Sequence, residues 1–303
     1  MPEGPEIVIT TQYLRTKVIG KVIESVRIIS GKYLRLPLKG LDLFKRGRKY
    51  KIKDIQTKGK FVWFELEDTK SKRMLYMANT FGMTGRWGFY KSGSARVRFK
   101  LCCERNQKKY NLYFTDQRNF GNIDIYDNYE ELETRINKLE PDILTGGLSD
   151  SDVEKLIDEF NTSSKKDKTL YKVLMDQNAL VSGIGNYLAA EILYDAKLSP
   201  HRKLDKLSSA EKKRLAHSMR KIVKHSYYDN KTGYMQYYLQ FMENHPVKVD
   251  KRIFPNYHPD IKIDTPFEFK VYGQDKDPKG NKVKSDGTII KGRTIHWVPK
   301  IQK

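Results

Sequence analysis

The chain has 303 residues, with 58 Lys and Arg against 37 Asp and Glu and a formal net charge of +21. That length allows a sizeable core and two domains, and so large a cationic excess points to a polyanionic partner, since phosphates neutralised by Lys and Arg release counterions. No apolar run approaches the ~20 residues of a membrane span, and the only cysteines, Cys102 and Cys103, are adjacent, so neither a membrane protein nor a disulfide scaffold is expected.

The six histidines are scattered and form no cluster with the cysteines, so no metal site is expected. The compartment that fits is intracellular, nucleus or cytoplasm. The chain opens MPEGPEIVITTQYLRTKVIG. Ile7, Thr11, Leu14 and Val18 recur at helical spacing and Gly20 is a natural stop, which predicts one helix here. Chain ends are usually frayed, and by that rule Pro2, Glu3, Pro5 and Glu6 would mean little. Chemistry offers another reading. Initiator Met is commonly removed before a small residue, which would leave Pro2 as a free secondary amine. An α-amino group has a reference pKa near ~7.7–8.0 against ~10.4 for Lys, so far more of it is neutral and nucleophilic at neutral pH. Its attack on a sugar C1′ yields an iminium directly, and that labilises the C2′ proton for elimination of the 3′ phosphate. Glu3 stands where a carboxylate can protonate the sugar or shuttle protons.

Short β-rich runs follow. In ARVRFKLCC, Val97, Phe99 and Leu101 alternate with Arg96, Arg98 and Lys100, and FVWFELE, NLYFTD and NIDIYD are further runs broken by Gly, Asn and Asp. Residues 1–127 therefore read as a mostly antiparallel β domain carrying one N-terminal helix. Two of its loops, NTFGMTGRWGF and TDQRNFGN, set Met83, Arg118 and Phe120 beside glycines. Apolar wedges and an Arg suit a protein that enters a duplex and extrudes a base; singly, a Met or Phe is more often a core residue.

Residues 128–150, acidic and rich in helix formers, read as a linker. Residues 151–268 read as a helical domain: SDSDVEKLIDEF, TLYKVLMDQ, NYLAAEILYDAKL and SAEKKRLAHSMRKIVKHS all show helical apolar spacing. Within DQNALVSGIGNYLAAEIL, a turn holding Gly183 and Gly185 places Asn186 at the N-cap of the next helix. Such a terminus offers backbone N–H groups and a positive dipole end to a phosphate; an ordinary helical hairpin fits the same spacing. Residues 269–303 read as a Gly-rich basic β-hairpin with Arg293, in GRTIHW, able to grip a phosphate.

Together these stretches resemble the Fpg/Nei family of DNA glycosylases with AP-lyase activity, along the whole chain. MPEGPE is similar to the family's start, and GKF carries its β-hairpin lysine, Lys60. FGMTG and DQRNFG match the loops holding the void-filling trio Met83, Arg118 and Phe120. LMDQNALVSGIGNYLAAEIL resembles the helix–two-turns–helix motif with its phosphate-binding Asn186. The tail departs from the bacterial pattern of a four-cysteine zinc finger, because Lys279, Lys282, Val298 and Ile301 occupy the ligand positions and none binds zinc. With Arg293 retained, the chain resembles the zincless-finger, endonuclease VIII-like branch, in which packing of Val298, Ile301 and Trp297 would replace the metal.

The resemblance implies an α+β fold of two domains: an N-terminal helix plus antiparallel β-sandwich, then a helix–two-turns–helix domain with a C-terminal zincless-finger β-hairpin. It implies a monomeric base-excision enzyme, without cofactor, acting on damaged double-stranded DNA, with single-stranded DNA as a further substrate. Oxidised pyrimidines and hydantoins would be the lesions, and β/δ-elimination would nick the strand. Pro2, Glu3 and Lys60 would be catalytic, Glu6 supporting, and Asn186 and Arg293 phosphate-binding. The lesion-contacting loop is expected in the Tyr-rich stretch after Tyr227. A catalytically inactive damaged-DNA-binding relative is the alternative. A purely nucleic-acid-binding helix–two-turns–helix protein would explain the charge and Asn186, but not Pro2 and Glu3.

Overall fold

The computed structural model describes residues 2–44, 47–104, 106–162, 168–230, 240, 242–244 and 250–303. It divides into two compact units: Pro2, Glu6–Lys138 and Asn230–Pro255 form the first, and Glu3–Pro5, Leu139–Asp229 and Asn256–Lys303 the second. Among the described residues no helix is long and apolar enough to cross a membrane.

The opening segment becomes helix α1, Gly4–Val18, whose Ile7, Val8, Ile9, Leu14 and Val18 are buried. Strands β1 (Val22–Ile28), β2 (Tyr50–Lys58), β3 (Phe61–Asp68), β4 (Met74–Thr80), β5 (Gly85–Gly88), β6 (Ala95–Cys102), β7 (Lys109–Asp116) and β8 (Asn122–Tyr126) form one antiparallel hydrogen-bonded sheet in the order β5-β7-β6-β1-β2-β3-β4-β8. Register shifts at Ile23/Ser25, Ile52/Asp54 and Ala95/Val97 bend it, as bulges do.

The two halves of this sheet fold over one another. Trp87 on the edge strand β5 is fully buried, and its ring lies 5.2 Å from Phe64 on β3, 5.6 Å from Phe99 on β6 and 5.3 Å from Phe114 on β7. Strands β3 and β5 stand far apart in the hydrogen-bonded order, so the Phe64–Trp87 contact is made across the sandwich. The indole N–H finds a buried acceptor in Asn79 Oδ1 at 3.0 Å, the arrangement a buried Trp needs. The region read as a linker contains a further helix, α2 (Tyr129–Ile136), capped by Asn128, whose side chain accepts from the Glu131 N–H at 2.9 Å.

The second unit holds helices α3 (Asp150–Thr162), α4 (Leu170–Met175), α5 (Asn186–Asp195) and α6 (Ser209–Asn230), and the hairpin strands β9 (Lys284–Asp286) and β10 (Ile295–Trp297). Helix α5 is the hub. Tyr187 through Leu193 are all buried, as expected of a helix apolar on every side. Its one buried acid, Glu191, accepts the backbone N–H groups of Lys270, Val271 and Tyr272 at 2.8–3.1 Å. Burial pushes the Glu191 carboxyl up, while the three donors pull it the other way. The tail is anchored at its far end too: the side chain of Gln302, 1% exposed, donates to Leu198 O and accepts from Val298 N–H.

The hairpin holds together around Val271, Val283, Ile295 and Val298, all buried. Val298 therefore packs inside as expected, but Ile301 and Trp297 are only half-buried, and Val271, Val283 and Ile295 are the partners sequence reading missed. Lys279 and Lys282 point into solvent. Just before them Asp277 builds a turn, its carboxylate accepting from the backbone of Lys279 and Asn281 at 3.0 and 2.7 Å and from Tyr194 Oη at 3.1 Å. The Tyr-rich stretch assigned to the lesion loop lies largely outside the described residues, which omit 231–239, 241 and 245–249.

Candidate active site

In the first unit, Lys60 sits at the two-residue turn joining β2 and β3, where Gly59 takes a φ of +58° that an L side chain rarely adopts. Met83 is half-buried in the β4–β5 loop, and Arg118 and Phe120 are exposed in the β7–β8 loop. The guanidinium of Arg118 lies 5.2 Å from the Phe120 ring centre, a cation–π contact. Phe120 is 54% exposed, so the core alternative does not hold for it.

One residue outside the expected set ties these loops together. Asp116, 1% exposed, accepts from Thr84 Oγ1 at 2.5 Å and Gly121 N–H at 2.7 Å. Arg118 N–H in turn donates to Thr84 Oγ1 at 3.0 Å. Arg96 clamps the same corner from β6, donating to the carbonyls of Asp116 and Gln117 at 2.7 and 3.2 Å. A buried carboxylate between two glycine-containing loops was the available signal, and it lay in the D of DQRNFG.

In the second unit, the opening segment is not frayed. Glu3 is 1% exposed, and its carboxylate accepts the backbone N–H groups of Gly185 at 2.8 Å, Tyr187 at 2.9 Å and Leu188 at 3.2 Å. Gly4 N–H donates to Gly183 O at 2.9 Å. This corrects the sequence reading of the turn in two ways. Gly185, not Asn186, is the N-cap, and these amides hold an internal carboxylate rather than awaiting a phosphate. A negative group at the positive end of α5 is the favourable pairing.

Gly185 is obligatory for this contact. A Cβ there would lie 2.3 Å from Glu3 Cδ. We expect Gly185→Ala to push Glu3 out of place and to cost about 1–3 kcal/mol, as overpacking does; a wild-type urea midpoint would show that the opening segment yields freely.

Asn186 opens α5 and is oriented from both sides. Its Oδ1 accepts from Tyr171 Oη at 2.5 Å, and its Nδ2 donates to Thr294 O at 3.0 Å. The structure thus brings Asn186 beside the turn that carries Arg293. Burial pushes the Tyr171 hydroxyl up to about 12, against the opposing pull of Arg293 and with Glu3 adding to the rise. The phenol therefore stays a donor at neutral pH. Arg293 is half-buried and, with Lys168 and Lys172, lines a cavity of about 440 Å³. Gln177 secures the preceding turn: its Oε1 accepts from Gly183 N–H at 2.8 Å and its Nε2 donates to Ile184 O at 2.9 Å. Pro2 and Glu6 are half-buried, and among the described residues no cluster of His, Cys, Asp and Glu could hold a metal ion.

Comparison with known proteins assigns each part. The N-terminal domain of formamidopyrimidine-DNA glycosylase matches residues 1–123, its H2TH domain residues 137–236 and its C-terminal domain residues 259–303. The formamidopyrimidine-DNA glycosylase of Mycoplasma genitalium is 30% identical over 227 residues, covering 74% of each chain. That of Arabidopsis thaliana is 24% identical over 323 residues, covering all of this chain and 71% of its own. Among solved structures, the Fpg protein of Thermus thermophilus superposes with a TM-score of 0.70 at 24% identity, covering 99% of this chain and 98% of its own. A Lactococcus lactis Fpg complex gives 0.72 at 18% identity, covering 99% of both. The chain belongs to the formamidopyrimidine-DNA glycosylase (Fpg/Nei) family, and its enzyme class is DNA glycosylase.

Proposed function

We propose that this enzyme removes oxidised bases, mainly pyrimidines and hydantoins, from damaged double-stranded DNA and then nicks the strand, as a member of the zincless-finger branch. The observation that carries the reading is the fixed carboxylate of Glu3, the residue next to Pro2, held by three backbone donors at the start of α5. Rigid support of this kind is what a general acid–base group needs. The cavity at Arg293, where Lys172 is a second cation and Lys168 is paired with Asp176 at 3.0 Å, and the oriented Asn186 amide support phosphate gripping, and the net charge of +21 supports a polyanionic substrate. The related Lactococcus lactis Fpg has been captured with an oxidised-pyrimidine-containing DNA.

In this mechanism the lesion nucleotide is extruded and Met83, Arg118 and Phe120 fill the gap. The Pro2 nitrogen, freed by loss of Met1, attacks C1′ and the base departs with a proton; the nitrogen gives up its own proton, the C1′–O4′ bond breaks, the ring oxygen takes a proton, and an iminium is left at C1′. Loss of the C2′ proton expels the 3′ phosphate, and a second elimination expels the 5′ phosphate. Glu3 moves the protons, Glu6 plays a supporting part, and Lys60, Asn186 and Arg293 hold phosphates. The enzyme works as an intracellular monomer without a cofactor, and a chelator is expected to leave its activity unchanged.

The test is a panel of end-labelled duplexes carrying single lesions. Cleavage at oxidised pyrimidines and hydantoins, well above that at 8-oxoguanine, is the expected pattern. Preference for 8-oxoguanine would overturn the branch assignment, and release of base without a nick would overturn the lyase step.

A further inference from the structure

On the solvent side of the β5-β7-β6-β1 half-sheet, Arg98 is the Cα partner of Arg27 on β1 and of Tyr113 on β7. Residues directly opposite in antiparallel strands share a face, so the three stand side by side in a row. Gly88 follows Tyr113 on β5 and adds no side chain. Lys91 enters from the β5–β6 loop, and these residues with Ile28 and Ile29 enclose a cavity of about 260 Å³ lined by no acid.

Like charges directly opposite on neighbouring strands repel. Three strand cations elsewhere in this sheet are matched by acids: Lys53 with Glu67 at 3.4 Å, Lys51 with Glu104 at 2.7 Å, Lys100 with Glu24 at 3.6 Å. Among the described residues Arg27, Lys91 and Arg98 have no ion pair, and they converge on one cavity. Two guanidinium forks, an ammonium and a phenol hydroxyl form a donor set matched to a tetrahedral oxyanion. We propose that Arg27, Lys91, Arg98 and Tyr113 bind a phosphate group. The site lies on strand faces, apart from the loop ends that carry Lys60, Met83, Arg118 and Phe120. Its occupant is either free inorganic phosphate or a phosphate of a nucleic-acid backbone.

Titration of inorganic phosphate into the full chain, with chloride at equal ionic strength as the control, tests this calorimetrically. Saturable phosphate binding is expected, weakened about tenfold by Arg27→Gln or Arg98→Gln singly, the size of one lost charge-assisted contact, and lost in the double variant. Removing like charges relieves repulsion, so the double variant should melt no lower than wild type in phosphate-free buffer, and phosphate should raise the melting temperature of wild type alone. Lys91→Gln, on an exposed loop, provides a variant whose folding is not at issue and should also weaken binding. No saturable binding by wild type, or equal binding by all variants, would overturn the proposal. Binding of undamaged duplex then assigns the source. A salt slope reduced by about one in the double variant identifies a backbone phosphate, and an unchanged slope identifies free phosphate.

Discussion

An enzyme that keeps Met1 behind an N-terminal extension is expected to lose base excision by on the order of a thousandfold or more, the scale seen when a covalent nucleophile is removed. The extension turns the Pro2 nitrogen from a secondary amine into an amide, whose lone pair is delocalised into the carbonyl and cannot attack C1′. Borohydride should trap an enzyme–DNA adduct with the processed protein and none with the extended one, with mass spectrometry confirming each N-terminus. Folding should be untouched, because the hydrogen bonds that hold this segment are made by the Glu3 carboxylate and the Gly4 N–H, which the extension leaves in place. Full excision by the extended protein would place the nucleophile elsewhere.

Glu3→Gln should be the second most damaging change, and it acts at two levels. As a proton-transfer group, a positioned carboxylate contributes about 10²–10⁴-fold, and an amide of the same shape cannot replace it. As the acceptor for Gly185, Tyr187 and Leu188, it also stabilises the start of α5. Gln keeps one carbonyl oxygen there, so the expected loss of stability is about 1–2 kcal/mol, the difference between charge-assisted and neutral bonds plus a weakened dipole interaction. Glu3→Ala strands all three donors in a buried place and should cost about 3 kcal/mol. Single-turnover excision separates the two levels. If Glu3 were structural only, Glu3→Gln at a temperature where it is fully folded would excise at the wild-type rate.

Much of the architecture could be read from local pattern. The alternation in ARVRFKLCC becomes β6, and the helical spacing of Ile7, Leu14 and Val18 becomes α1. These elements are legible because one face is buried and the period reports it. Strand β5 was missed because Gly85–Gly88 is too short to show a period, although its Trp87 is the centre of the sandwich core. Helix α2 hid in a stretch whose acidity resembled a linker, and only Leu132 of it is buried.

The candidate site divides along the same line. Sequence alone determined which residue types are present and in what order: a proline directly after Met1, an acid beside it, glycine-framed loops and a tail without zinc ligands. These are properties of composition and spacing. The tertiary structure alone decided how they are held. Glu3 bonds a backbone amide 182 residues away, Asp116 joins two loops through Thr84 and Gly121, and Arg98 faces Arg27 across a strand pair. Periodicity reports only which way a side chain points relative to its neighbours in the chain. What it meets there depends on register and packing, where the polar partners of a buried carboxylate are chosen.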